Sequence, residues 1–210
     1  MNKSSSVGSI LAGGRSSRLG SPKGLASVGG QPLVSRLIGV LRQVLSRIVV
    51  VTNDPNLYRT LRVEIVGDEH PGRGPLSGVE AALKWARDIG ANGVVCLPCD
   101  AAFVDPELIR RLMVRSAGRT AVLPRSAGPL GYEPLFAWYP VSALDVATRC
   151  LADERPAMHS FVESLPRVSY LSIEEVREIA DPEILFFNVN TGDDLERAER
   201  IDAERNTGAA

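Results

Sequence analysis

The chain has 210 residues, enough for one domain with a full apolar core. Its 44% apolar and 23% charged residues are an ordinary globular composition, and a net charge of −1 carries no basic excess to attract nucleic acid. No run of about 18 apolar residues offers a membrane span. The start, Met1–Ser6, is short and polar, and with only three cysteines it predicts a cytoplasmic protein without a disulfide framework.

Val7 to Ala12 reads as a short buried strand that stops at Gly13-Gly14. Gln31-Pro32 opens a helix with Leu33, Leu37, Ile38, Leu41 and Leu45 at spacings of three and four. Arg47 to Thr52 contains Ile48-Val49-Val50-Val51, and continuous apolarity predicts a strand covered on both faces. Val63 to Val66 reads as a strand, Leu76 to Ile89 as a helix, and Gly93 to Pro98 as another buried strand. Pro106 to Arg115 follows as a helix, with Pro106 in the first turn and Asp105 as its cap.

Thr120 to Leu123 and Leu135 to Tyr139 are predicted strands, separated by the turn-rich Arg125 to Gly131. Helical stretches then cover Val141 to Leu151 and Met158 to Leu165. A strand at Val168 to Leu171, an acidic helix from Ser172 and a final helix over Asp193 to Ile201 complete the chain, with a frayed tail from Asn206. Repeated strand–helix units with short connections predict a doubly wound α/β fold with a largely parallel sheet. No repeat, low-complexity segment or linker divides the chain.

Leu11-Ala12-Gly13-Gly14-Arg15-Ser16-Ser17-Arg18-Leu19-Gly20-Ser21-Pro22-Lys23 carries the chemistry. Two glycines after a strand let the backbone turn tightly and present bare N–H groups to an anion. Arg15, Arg18 and Lys23 add positive charge within the same span, a combination suited to a triphosphate. The plain alternative is a surface turn with scattered arginines. The spacing fits neither G-x-x-x-x-G-K-[ST] nor G-x-G-x-x-G, which disfavours a P-loop kinase and a dinucleotide-binding dehydrogenase.

This loop resembles the signature of the GT-A-like nucleotidyltransferases. Four further segments resemble the molybdenum cofactor guanylyltransferases: Gly74-Pro75-Leu76-Ser77-Gly78, Leu97-Pro98-Cys99-Asp100, Glu133-Pro134-Leu135-Phe136-Ala137 and Phe187-Asn188-Val189-Asn190-Thr191. The resemblance runs from about Ile10 to Leu195. It implies a Rossmann-like three-layer α/β fold of the nucleotide-diphospho-sugar transferase type in a single domain over 1–210. The part up to about residue 100 would bind nucleotide and the remainder the acceptor.

By resemblance, Leu11, Ala12, Gly13, Gly14, Lys23, Asn53, Asp68 and Asp100 would bind GTP. Arg15, Arg18 and Lys23 would supply charge at the transferring phosphorus, and Asp100 would hold Mg²⁺. Asp100 follows a strand end, where open α/β sheets bind ligands, and a carboxylate there suits a hard cation that keeps waters and phosphate oxygens. Its other reading is a helix cap, although Asp105 is better placed for that. Asp68, accepting from guanine N–H groups, would favour guanine over adenine; its other reading is a solvated loop acid. For Asn53, the matching position could equally be Thr52 or Asp54. Asn188 and Asn190 alternate in an extended segment and so share a face, where they would read the pterin or its phosphate, or else tie the last helix to the sheet. The family has an aspartate immediately before Lys23, where this chain has Pro22.

Cys96-Leu97-Pro98-Cys99 invites a redox or zinc reading. Cys96 lies inside an apolar strand, however, and further ligands are scattered, so buried thiols are expected. His70 and His159 are isolated, and Glu174, Glu175 and Glu178 read as a solvated helix face. The implied activity is Mg²⁺-dependent transfer of GMP from GTP to molybdopterin or the molybdenum cofactor. Apo-molybdoenzymes or their chaperones would be downstream partners, with neither nucleic acid nor membrane involved. A cytidylyl- or sugar-phosphate nucleotidyltransferase, and a non-catalytic cofactor-delivery protein, are the alternatives.

Overall fold

The computed structural model describes residues 6–13 and 22–207. Its elements are β1 (Ser6–Leu11), β2 (Ser27–Val28), β3 (Gln31–Pro32), α1 (Leu33–Arg42), β4 (Ile48–Val51), α2 (Pro55–Tyr58), β5 (Glu64–Val66), α3 (Pro75–Asp88), β6 (Gly93–Pro98) and α4 (Pro106–Ser116). They continue with β7 (Ala121–Pro124), β8 (Ala137–Pro140), α5 (Leu144–Ala152), α6 (Met158–Ser164), β9 (Val168–Leu171), α7 (Ile173–Arg177), α8 (Pro182–Leu185) and α9 (Gly192–Thr207). Asp105 does cap α4, its side chain accepting from the Glu107 N–H.

Seven strands form the central sheet in the order β5-β4-β1-β6-β8-β7-β9. All run in one direction except β8, which pairs antiparallel with both β6 and β7. The two strand faces explain the continuous apolar runs. Val94 and Cys96 pack with α3, α5 and α6, whereas Val95 and Leu97 pack with α1 and α4. These are the three layers that the apolar pattern predicts.

Gly93 is the tightest point of the sheet. A Cβ there would fall 2.2 Å from the Trp138 ring and 2.6 Å from the Tyr139 carbonyl oxygen. The last helix is longer than expected and begins one residue earlier. Asp202 on that helix pairs with Arg36 at 2.5 Å, and Glu199 accepts from the Gly29 N–H at 3.1 Å. The C-terminal helix is thereby tied to the β2–β3 ribbon.

Candidate active site

β1 and β6 are neighbours, but the chain leaves them in opposite directions: β4 and β5 lie beyond β1, and β8, β7 and β9 beyond β6. This is the topological switch point at which open α/β sheets bind ligands, outside the carboxyl ends of the strands. Leu11, Ala12 and Gly13 leave β1 here. The Ala12 N–H donates to the Val51 carbonyl at 2.9 Å, and the Leu11 carbonyl accepts from the Cys99 N–H at 3.2 Å. Among the described residues, a Cβ on Gly13 would meet nothing within 4 Å. Gly14, Arg15 and Arg18 lie outside the described residues.

Lys23 and Asp100, 77 residues apart, meet at this point. The ammonium donates to Asp100 Oδ2 at 2.8 Å and also to Asn190 Oδ1. Local sequence explains how Lys23 arrives there. Pro22, with φ near −56°, enters a single 3-10 turn over Lys23–Leu25, and its carbonyl accepts from the Leu25 N–H. Gly24 then lies flat against the core, since a Cβ would stand 3.1 Å from the Tyr58 hydroxyl and 3.3 Å from Cys99 Cβ. Pro22, where the family has an aspartate, thus shapes the turn that holds the lysine.

The Asp100 side chain is 13% exposed and that of Lys23 30%, so the pair is partly shielded from solvent. Asp100 also anchors the Phe187–Thr191 segment, its carbonyl accepting from the Val189 N–H at 2.9 Å. An antiparallel bridge joins Ala101 to Asn188, and Val189 is fully buried between the two asparagines. The Asn190 and Thr191 N–H groups donate to Asp194 Oδ2 at 3.0 and 2.9 Å, while Thr191 Oγ1 accepts from the Asp194 N–H. The backbone of the segment ties the last helix to the sheet, one of its two expected roles, and the Asn190 amide oxygen accepts from Lys23. The Asn188 Oδ1 atom is buried without a hydrogen-bond partner among the described residues. Asp194 had no place in the sequence reading, yet Thr191 followed three residues later by an acid is a capping-box signal.

Asp68 lies on the loop after β5. Its Oδ1 accepts from the His70 N–H at 2.7 Å, and its Oδ2 from the Ser77 hydroxyl at 2.7 Å. Asn53 is not aimed independently at the switch point; its Oδ1 accepts from the Asp68 N–H at 2.8 Å and so holds that loop. Thr52 is buried, and its hydroxyl accepts from the Asp54 N–H. Gly74, at φ +77°, turns the chain into α3 with Ser77 in the first turn. Each Asp68 oxygen retains a second acceptor position. Behind the loop, the buried Glu80 carboxylate accepts from the Thr148 hydroxyl at 2.7 Å and lies 3.5 Å from His70 Nε2.

The cysteines take no part. Cys96 and Cys99 are buried and not disulfide-bonded, and burial pushes both thiols up to about 12. Among the described residues, no group of three His, Cys, Asp or Glu could hold a metal. A divalent site here would rest on Asp100 with amide oxygens, waters and phosphate oxygens, a donor set that suits Mg²⁺. The acidic run does more than face solvent. Glu175 closes a capping box with Ser172 and pairs with Arg115, and Glu178 pairs with Arg111 at 2.8 Å.

Residues 8–168 match the family model of the MobA-like NTP transferase domain. The chain belongs to that family. It is 37% identical over 204 residues to a protein of Pelotomaculum thermopropionicum named "Probable molybdenum cofactor guanylyltransferase", covering 96% of each chain. It is 36% identical to the molybdenum cofactor guanylyltransferase of Rhizobium meliloti over 199 residues, covering 90% of this chain and 88% of that one. The crystal structure of molybdopterin-guanine dinucleotide biosynthesis protein A from Archaeoglobus fulgidus superposes with a TM-score of 0.78 at 29% identity, covering 94% of this chain and 99% of that one. No helix of the described residues is long and apolar enough to cross a membrane.

Proposed function

We propose that this chain transfers GMP from GTP to the terminal phosphate of molybdopterin or its molybdenum-loaded form, releasing pyrophosphate. The observation that carries this reading is the meeting of Lys23, Asp100 and Asn190 at the switch point, in a chain 36–37% identical to proteins named for that activity. The part before about residue 100 would hold the nucleotide, and the part after it the acceptor.

An acceptor phosphate oxygen forms a new bond to the α-phosphorus in line, while the bond from that phosphorus to the β-phosphate bridging oxygen breaks and pyrophosphate departs. The attacking phosphate is already anionic, so no general base is needed. The protein's work is positioning and charge stabilisation. Leu11, Ala12 and Gly13, with Gly14, Arg15 and Arg18, would line the phosphates, and the Lys23 ammonium would offset charge at the transferring phosphoryl group. Asp68 would accept from the guanine N–H edge, oriented by Ser77 and Asn53. Asp100 would hold Mg²⁺; bound there, the ion would neutralise phosphate charge.

Pyrophosphate release that requires both GTP and molybdopterin tests the proposal. Binding of GTP and molybdopterin without release would instead mark a cofactor-delivery protein, and equal release from CTP would overturn the guanine assignment.

A further inference from the structure

The carboxyl edge of the sheet carries a second concavity, beyond the switch point. Between the ends of β7 and β9 lies a cleft of about 460 Å³ lined by Arg125, Ser126, Gly131, Tyr170, Ser172 and Glu174. One wall is the Arg125–Gly131 turn, which the sequence marks only as turn-rich. The fold builds it firmly. The Arg125 N–H donates to the Leu171 carbonyl at 2.9 Å, the Ser126 N–H to the Gly131 carbonyl at 3.3 Å, and an antiparallel bridge joins Arg125 to Tyr132.

The Arg125 guanidinium carbon lies 3.8 Å from the centre of the Tyr170 ring, and Tyr132 leans on that ring at 5.7 Å. A planar cation is thus layered on an aromatic pair at an open cleft. Arg125 is exposed and enters no ion pair among the described residues. Across the cleft stands Glu174, a carboxylate held below the usual range by hydrogen bonds from its own backbone and from Ser172. Behind Ser126, the part-buried Glu133 carboxyl accepts from the Ser126 side chain, and burial raises it above the usual carboxylate range.

We propose that this cleft is the subsite for the acceptor's ring, where a flat, uncharged heterocycle bearing both hydrogen-bond donors and acceptors stacks on the Arg125–Tyr170 layer. The inference rests on the guanylyltransferase reading. Position and chemistry both support it. β7 and β9 lie two and three strands from β6, so the cleft is about 10–14 Å along the same edge from Asp100. A fused pterin with a phosphate-bearing arm has a comparable span, letting its phosphate meet Lys23 while its ring reaches the cleft. Stacking on a guanidinium and an aromatic ring suits such a ring, and the Glu174 carboxylate offers an acceptor for its amino edge. A simple anion would use only Arg125, and a greasy ligand neither charge.

Arg125→Met and Tyr170→Ala test this against the wild type in two measurements. In steady-state GMP transfer, each variant is expected to raise the KM for molybdopterin about tenfold, with the KM for GTP unchanged. In a titration with fluorescent 6-hydroxymethylpterin, which lacks the phosphate, saturable quenching by the wild type is expected to weaken about tenfold in both variants. Exposed Arg125 serves as the variant that keeps the fold intact if Tyr170→Ala melts early. Variants with wild-type KM for molybdopterin and wild-type quenching would overturn the subsite while leaving the guanylyltransferase reading standing. A wild type that transfers no GMP to molybdopterin would overturn that reading, and the pterin titration would still decide whether the cleft binds the ring.

Discussion

Replacing Asp100 by Asn separates what its charge does from what its shape does. Asn keeps the volume of the side chain and an oxygen that can accept from Lys23, now 2.8 Å away, but loses the carboxylate charge. Lys23 is nearly a third exposed, so the pair is screened and its loss alone costs no more than about 1 kcal/mol. For a chain of this size that corresponds to a melting shift of about 2–4 °C. The catalytic cost is larger. Removing one preorganised electrostatic group at the transferring phosphorus costs about 10²–10³ in rate, or about 2.7–4 kcal/mol. Asp100→Asn should therefore melt close to the wild type while its single-turnover release of pyrophosphate, at saturating GTP and molybdopterin, falls about 10²–10³-fold. The Mg²⁺ concentration for half-maximal rate should also rise. A folded Asp100→Asn protein with turnover within threefold of wild type, at the same Mg²⁺ requirement, would refute the charge assignment.

Other outcomes follow from the same geometry. Gly93→Ala should abolish soluble expression or lower the melting temperature by well over 5 °C, since its Cβ collides with backbone as well as the Trp138 ring and neither can retreat. Asp68→Ala should raise the KM for GTP more than it lowers kcat, because it releases the His70 N–H, leaves the Ser77 hydroxyl only the Gly74 carbonyl, and removes the carboxylate proposed to accept from the base; kinetics at varied GTP check this. Cys96 and Cys99 should resist a thiol reagent at pH 8 in the native protein and react at once in denaturant. Both thiols are raised in the fold relative to the unfolded chain, so their stabilisation is complete below pH 9 and is lost as pH climbs from there toward 12. Each contributes a loss of up to about 1.4 kcal/mol per pH unit in that window, and Cys96→Ala should flatten the alkaline fall in melting temperature.

The long buried strands were legible because Ile48–Val51 and Gly93–Pro98 are apolar without alternation, and β6 forms over the residues expected. The Lys23–Leu25 turn, the β2–β3 ribbon, α2 and α8 were not, being four residues or fewer and too short to show a period. The last helix was expected to stop at Ile201; Asp202, just beyond that point, pairs with Arg36, far away in sequence, and the helix runs on to Thr207. At the site, Lys23, Asp100 and Asn190 could be named from motifs, but nothing local in the sequence marks that they touch. That follows from the crossing of strands at the switch point. The Arg125–Tyr170 layer was invisible for the same reason, since parallel pairing of β7 with β9 brings those residues together.

What defines this protein's activity is the group it transfers and the acceptor that takes it. Incubating the full chain with Mg²⁺, molybdopterin and equal amounts of ATP, CTP, GTP and UTP, and then weighing the pterin product by mass spectrometry, tests it most directly. The expected product is heavier than molybdopterin by one GMP unit less water, with one pyrophosphate released per product. A cytidylyl adduct as the main product, or unmodified molybdopterin beside intact GTP, would contradict it.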